Sequence, residues 1–317
     1  MLPFVSILIP AFNEDKNISR CILSINEQNY PKERYEVIVM DNGSTDRTAQ
    51  IATELGVSVI DASGLLIGGV RNAGARVAKG DILAYIDADC LAPKNWIQSG
   101  VSLLYLESDI GAVGGGCDIG PSASWVERAW VINRPYIEAT YVKILATGSF
   151  FITKDTFEEV GGFNETVRAG EDTEISKEII VNNKNLILSS AIRVIHLGYP
   201  LTLRSFYERQ VWQASDYVRT RKSGLDPVFI LANLFLVSLL VFLVSLFSNL
   251  KVGLTAIVIG GGIAMMLSIY RYRRASARFS FLLFFQVFIL NYLYLVARAV
   301  GLIKSYKREI YNFISIN

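Results

Sequence analysis

Residues 228 to 250 carry no charged side chain, and neither do residues 252 to 270. A helix of either length crosses roughly 30 Å of hydrocarbon. The chain from residue 227 to 317 is therefore expected to form a membrane domain, opening with a helical hairpin that turns at "SNLK" (248 to 251). A third stretch, Phe279 to Ile303, is long enough to cross but contains Gln286, Asn291 and Arg298. Its length and apolarity favour a span over an interfacial or bundled helix. Buried helices of a large soluble protein fit these lengths poorly. Arg271, Arg273, Arg274 and Arg278 crowd the second loop, which the bias of basic loops assigns to the cytoplasmic side. A hairpin returns to the side it left, so the front of the chain is expected in the cytoplasm, anchored to the inner membrane by several passes. The basic tail at Lys304, Lys307 and Arg308 runs against this topology if the third stretch spans.

Charge divides the chain at the same place. Before Pro227 there are 28 acidic and 22 basic residues, a net of −6, and after it one and nine, a net of +8. No nucleic-acid partner is expected. Cys21, Cys90 and Cys117 are odd in number and too far apart for a zinc knuckle, which argues against a disulfide framework. The opening "MLPFVSILIPAFNED" lacks a basic n-region and meets Pro10 and charges early, so it reads as a first strand rather than a signal peptide.

Residues 1 to 226 alternate short β-branched runs with helical segments. "FVSILI" (4 to 9), "YEVIVMD" (35 to 41), "VSVID" (57 to 61) and "DILAYID" (81 to 87) read as strands buried on both faces. Between them, 17 to 27, 45 to 55 and 69 to 78 have helical spacing, with Ser44 or Thr45 as an opening cap. This βαβαβαβ order predicts an α/β fold, a mostly parallel sheet with helices on both faces.

Ligands of open α/β sheets sit beyond the carboxyl ends of the strands. "PAFNED", "DNGSTD" and "DADC" lie at those ends and would converge on one edge. Asp41 is placed to accept hydrogen bonds from a nucleobase or ribose, or to form a turn or cap. Neither "GxxxxGK[ST]" nor "GxGxxG" follows the first strand, so phosphates need another holder. A divalent cation, Mn²⁺ or Mg²⁺, takes hard oxygen ligands and bridges a diphosphate. Asp87 and Asp89 supply that chemistry, with Asp89 at the ion and Asp87 free for hydroxyls. An isolated Asp-x-Asp is common on surface loops, and it is the strand-end position that gives this one meaning.

"VSILIPAFNEDKNI", "EVIVMDNGSTDRT", "GGVRNAGARVAKGDILAYIDADC" and "GEDTEISKEI" together resemble the family 2 glycosyltransferases of the GT-A fold, in the family's order over residues 4 to about 210. The resemblance implies that Pro10, Ala11, Glu14 and Asp41 line a nucleoside pocket. It puts Arg71 and Asn72 on the base or diphosphate side, and Asp87 and Asp89 at the metal and sugar nucleotide. Asn13 and Ala88 complete the donor-binding set. It also implies inversion by direct displacement, with Asp172 of the Glu171–Asp172 pair as general base and Glu171 beside the substrate. The residue-level alternative for Asp172 is an acid stabilised by a helix dipole. "ATGSFFITKD" (146 to 155) resembles the acceptor-side strand, with Gly148 and Ser149 near the sugar, or alternatively holds a plain bulge glycine. His196, the single histidine, completes the metal site in several family members, although a lone histidine is as readily structural.

"LRSFYERQVWQASDYVR" (203 to 219) looks amphipathic and suits either the bilayer surface just before the first span or a core-packing role in the front domain. Processive synthases of the family carry Gln-x-x-Arg-Trp here, and this chain has Gln210, Val211, Trp212, Gln213 instead, which argues against processive synthesis. The expected activity is transfer of one sugar from a nucleotide-diphosphate sugar, uridine being the commonest base in the family, to a lipid-linked or growing glycan acceptor in contact with membrane lipid. The alternatives are a polyprenyl-phosphate sugar synthase and an inactive GT-A binding protein. A nucleotidyltransferase would need a Gly-rich basic loop where "PAFNEDKN" stands.

Overall fold

The computed structural model describes residues 2–132, 136–215, 227–275 and 278–316. Contacts divide the chain into two compact units, one of residues 1–120 and 136–198 and the other of 121–135 and 199–317.

The first unit begins with β1 (Val5–Ala11), α1 (Ile18–Asn26), β2 (Tyr35–Asp41), α2 (Thr48–Glu54), β3 (Ser58–Asp61), α3 (Ile67–Val77) and β4 (Ile82–Ile86). All four strands and three helices expected from the sequence are present. β1 pairs in parallel with both β2 and β4, and β2 with β3. β1 and β4 are buried along their whole length, as continuous apolar runs of a two-faced sheet must be. The side chains divide by alternation: Val5, Ile7 and Ile9 enter the core under α1, while Leu8, Leu83 and Tyr85 enter the core on the other face.

Beyond β4 the chain departs from simple alternation. A two-residue β5 (Cys90–Leu91), α4 (Trp96–Leu104), β6 (Ile110–Gly114) and a two-residue β7 (Cys117–Asp118) come before the excursion into the second unit, which holds α5 (Trp125–Val131). The chain returns through β8 (Thr140–Val142), β9 (Ser149–Thr153), α6 (Lys154–Glu159), α7 (Glu171–Val181), β10 (Asn185–Leu188) and β11 (Val194–His196). The main sheet runs β3-β2-β1-β4-β9-β6-β10-β8, and β5-β11-β7 forms a small second sheet. β9 enters antiparallel between β4 and β6, and β8 closes the far edge antiparallel to β10. The sheet is thus mostly parallel but mixed.

The second unit continues with α8 (Leu203–Ala214), α9 (Pro227–Ser245), α10 (Leu250–Arg274) and α11 (Phe281–Ile316). Windows of the last three, Val228–Ser245, Leu250–Arg274 and Phe281–Tyr311, are each long and apolar enough to cross a membrane. At 1.5 Å per residue, α11 is about 54 Å long, well beyond the hydrocarbon thickness, so its basic end at Lys304, Lys307 and Arg308 need not enter lipid.

The compact units do not follow the division expected at residue 226. Phe206 of α8 is fully buried with its ring 4.8 Å from that of Trp130, in one cluster with Phe235, Leu290 and Leu302. A Cβ on Gly301 would fall 2.4 Å from that of Ala214, so α8 and α11 cross at glycine-permitted distance. Phe206, Gln210, Val211 and Ala214 are buried and Trp212 is exposed, and the packing is within the second unit rather than in the front domain expected from the sequence. Residues 216–219 lie outside the described residues.

Candidate active site

Three loops meet beyond the carboxyl ends of β1, β2 and β4. The first two are laced together by short-range polar chemistry. Asn13, in the left-handed conformation (φ 55°), accepts a hydrogen bond on Oδ1 from the Thr45 amide (2.8 Å) and donates its own amide to Ser44 Oγ (2.9 Å). The Glu14 amide donates to Thr48 Oγ1 (2.7 Å) and the Asp15 amide to Asp46 Oδ2 (3.1 Å). Ser44 and Thr45 are therefore spent on the neighbouring loop and do not cap α2. Asp46 takes over, accepting from the Thr48 amide at 2.9 Å, a use of Asp that the sequence signature also permits.

The residues expected at a nucleoside lie along this lacing. Pro10 and Ala11 are buried at the end of β1. Glu14 accepts from Asn17 Nδ2 (2.8 Å), and partial burial holds its carboxyl above the usual range. Asp41 accepts from the Ser44 amide on Oδ2 (3.1 Å), while Oδ1 is buried with no hydrogen-bond partner among the described residues. A buried carboxylate oxygen left open costs free energy unless a ligand donates to it.

At the end of β4, the Cys90 amide closes a turn onto the Asp87 carbonyl (2.9 Å). This turn carries Asp87 and Asp89 together: one ligand atom from each of Asp87, Asp89 and Cys90 lies within 4.8 Å of the others. Ala88 between them is buried. Cys90 is fully buried, and hydrogen bonding with Cys117, followed by burial, pushes its thiol far above the usual range. Its soft sulfur suits Mn²⁺ or Mg²⁺ less well than the oxygens of Asp87 and Asp89. His196 reaches the cluster because β11 pairs antiparallel with β5, setting His196 opposite Cys90. Its Nε2 lies 3.4 Å from Asp89 Oδ2.

Two glycines keep this space open. A Cβ on Gly198 would sit 2.0 Å from Asp89 Oδ2, and one on Gly148 would sit 2.9 Å from Asp87 Oδ2. The donor set, two carboxylates with an imidazole at one end and no room for further side chains, fits a small divalent cation.

Arg71 of α3 ties the turn to α7. Its guanidinium is buried, with Nη1 2.7 Å from Glu171 Oε1 and Nη2 3.3 Å from Asp87 Oδ1. Arg71 thus fixes two carboxylates that flank the site. Gly170, at φ +87°, starts α7 and sets Glu171, Asp172 and Glu174 in its first turn. Asp172 is partly exposed, and its Oδ1 accepts from the Thr173 amide at 2.6 Å.

Other expected site residues are occupied within the protein. Asn72 donates to the Phe163 carbonyl (2.9 Å) and Glu165 Oε1 (2.8 Å) and accepts from the Phe163 amide (2.9 Å). Its amide clamps the loop before α7. Ser149 is fully buried, accepting from Trp96 Nε1 (2.8 Å) and donating to the Ile192 carbonyl (2.6 Å). Its carbonyl also accepts from the Gly115 amide (3.0 Å), so Ser149 is a packing residue of β9. Sequence reasoning missed Asp46, Glu165, Cys117 and Gly198; "HLGYP" offered the last, two residues after the histidine.

Comparison with known proteins agrees with this architecture. Residues 6–156 match the family described as Glycosyl transferase family 2. Glycosyltransferase AglE of Haloferax volcanii is 32% identical over 188 residues, 56% of this chain and 61% of that protein. A Methanococcus voltae dolichyl N-acetyl-alpha-D-glucosaminyl phosphate 3-beta-D-2,3-diacetamido-2,3-dideoxy-beta-D-glucuronosyltransferase is 48% identical over 52 residues, 16% of each chain. The chain thus spans less than two thirds of the length of these relatives. Among solved structures, the mannosyltransferase PcManGT from Pyrobaculum calidifontis, in complex with GDP-Man and Mn²⁺, superposes with a TM-score of 0.59 at 18% identity, covering 96% of this chain and 88% of that one. Residues 6–156 thus match the family 2 glycosyltransferases, and the fold is similar to that of a solved mannosyltransferase.

Proposed function

We propose that this protein transfers one sugar from a nucleotide-diphosphate sugar, with UDP as the favoured nucleotide, to a lipid-linked or growing glycan acceptor at the cytoplasmic face of the inner membrane. The observation that carries this reading is the convergence of Asp87, Asp89 and His196 at the strand edge that also holds the open Asp41 oxygen. Membrane acceptors suit the three apolar helices, and the Methanococcus voltae relative is named for a dolichyl phosphate-linked substrate.

In this reading the pocket of Pro10, Ala11, Asn13 and Glu14 holds the nucleoside, and Asp41 Oδ1 accepts from the base or ribose. Asp89, Asp87 and His196 would hold Mn²⁺ or Mg²⁺, which when bound supplies positive charge to a departing diphosphate. Arg71 holds the Asp87 and Glu171 carboxylates in place beside the site. Asp172 removes the proton of the acceptor hydroxyl as that oxygen attacks the anomeric carbon from the side opposite the diphosphate, inverting it. The bond to the diphosphate breaks in the same step, and the nucleoside diphosphate carries away its electron pair. Gly148, which has no side chain, leaves room for the sugar beside Asp87.

The test is to incubate the purified full chain with Mn²⁺, a panel of UDP, GDP and dTDP sugars and a membrane lipid extract. One sugar nucleotide should release its nucleoside diphosphate with label passing into lipid; no release from any of them would overturn the reading. Product sugar labile to mild acid would mark the acceptor as the lipid phosphate itself.

A further inference from the structure

The helical unit contains a cavity of about 260 Å³ lined by Trp130, Tyr199, Leu231, Leu267, Arg271, Asn291 and their neighbours. Its wall is aliphatic and aromatic apart from Arg271 and Asn291, which are bonded to each other. Asn291 is fully buried and holds Arg271 Nη1 through Oδ1 at 2.8 Å, while its own Nδ2 donates to Ser268 Oγ at 2.9 Å. The guanidinium also donates to the Trp130 carbonyl and stacks 4.2 Å above the Trp130 ring. These contacts immobilise the planar fork at the C-terminal end of α10, where Arg273 and Arg274 follow. No acidic side chain lines the cavity among the described residues.

A fixed arginine in the wall of a largely apolar chamber, in a unit with candidate membrane spans, complements an anion that carries a hydrocarbon chain. We infer that this cavity binds the phosphate head and first carbons of a single-chain lipid monophosphate, with Arg271 at the phosphate. Its volume is about that of nine water molecules, enough for a phosphate and roughly four carbons. Two acyl chains on glycerol exceed it. The inference rests on this unit alone and needs no transfer reaction, so it stands or falls separately from the proposed activity.

The test uses the full chain in detergent without nucleotide sugar, following its melting temperature as geranylgeranyl monophosphate is added. Stabilisation should saturate, because a ligand of the native state raises Tm in step with its excess over Kd. Geranylgeraniol, inorganic phosphate and dioleoyl phosphatidate should give no comparable rise at the same concentrations. Arg271→Gln should raise the midpoint concentration at least tenfold. Leu231→Trp, which fills the apolar part and leaves the arginine contacts alone, should abolish the rise, and it carries the test if Arg271→Gln does not fold. An unchanged midpoint in folded Arg271→Gln, an undiminished response in Leu231→Trp, or an equal response to any of the three comparison compounds would overturn the inference.

Discussion

The two units distribute the same residue types in opposite ways. In the sheet unit, Val, Ile and Leu of β1 and β4 are wholly buried and the polar residues gather at one strand edge. In the helical unit only about a third of each apolar window is buried by protein. Val258 and Phe247 are exposed, while Ser238, Ser268 and Asn291 are buried. Water rewards the first arrangement by expelling apolar surface. The second suits hydrocarbon, in which small and polar residues hold helices together. The contrast locates the chemistry: charged groups are concentrated deliberately in the unit whose interior is apolar, and used sparingly in the unit whose exterior is.

The largest effect that sharpens this contrast is expected at the strand edge. Asp89→Ala should lower sugar transfer by about 10³-fold, the scale of losing one principal source of transition-state charge stabilisation, with the melting temperature preserved. Transfer assays on the purified variant check this. Next, Arg71→Ala should destabilise the sheet unit by about 3 kcal/mol, because it strands the buried Glu171 carboxylate without its cation. Chemical denaturation followed through Trp96, which lies in that unit's core, reports it.

The helical unit should respond more weakly to a comparable loss. Asn291→Ala removes a buried amide bonded to Ser268 and Arg271, yet its cost is expected near 1 kcal/mol, since polar partners are replaceable among membrane helices. A cost equal to that of Arg71→Ala would break the contrast. The smallest effect concerns pH. The Asn72 amide, then Arg76, holds Glu165 below the usual carboxylate range. A carboxyl lowered on folding contributes stability that is complete above its unfolded pKa and is lost as pH falls through its folded one. Melting curves from pH 6 downward should therefore show a slight acid-side loss that Glu165→Gln removes.

Much of this was legible in the sequence because it is local. The first four strands, the aspartates after β4 and the apolar helices each follow from periodicity or turn chemistry within one segment. What was not legible depends on distant pairing. β9 reads as one more apolar run, and nothing in "SFFIT" says that it enters antiparallel between β4 and β6. α5 and α8 carry residues that the sequence assigns to the front domain, yet Phe206 finds its partner at Trp130 in the helical unit. Asn72 and Ser149 look available in the sequence and are consumed by Phe163 and Trp96 in the fold. Conversely His196, ambiguous as a lone histidine, acquires a place beside Asp89 only through the β5–β11 pairing.

The most direct test of the strand edge as a sugar-transfer site is a single-turnover comparison of the native chain with Asp172→Asn, using one sugar nucleotide, Mn²⁺ and the lipid acceptor. Asp172→Asn should bind the donor with unchanged affinity and transfer its sugar at least 10²-fold more slowly, the usual contribution of a general base. Transfer at the native rate by the folded variant would contradict the account.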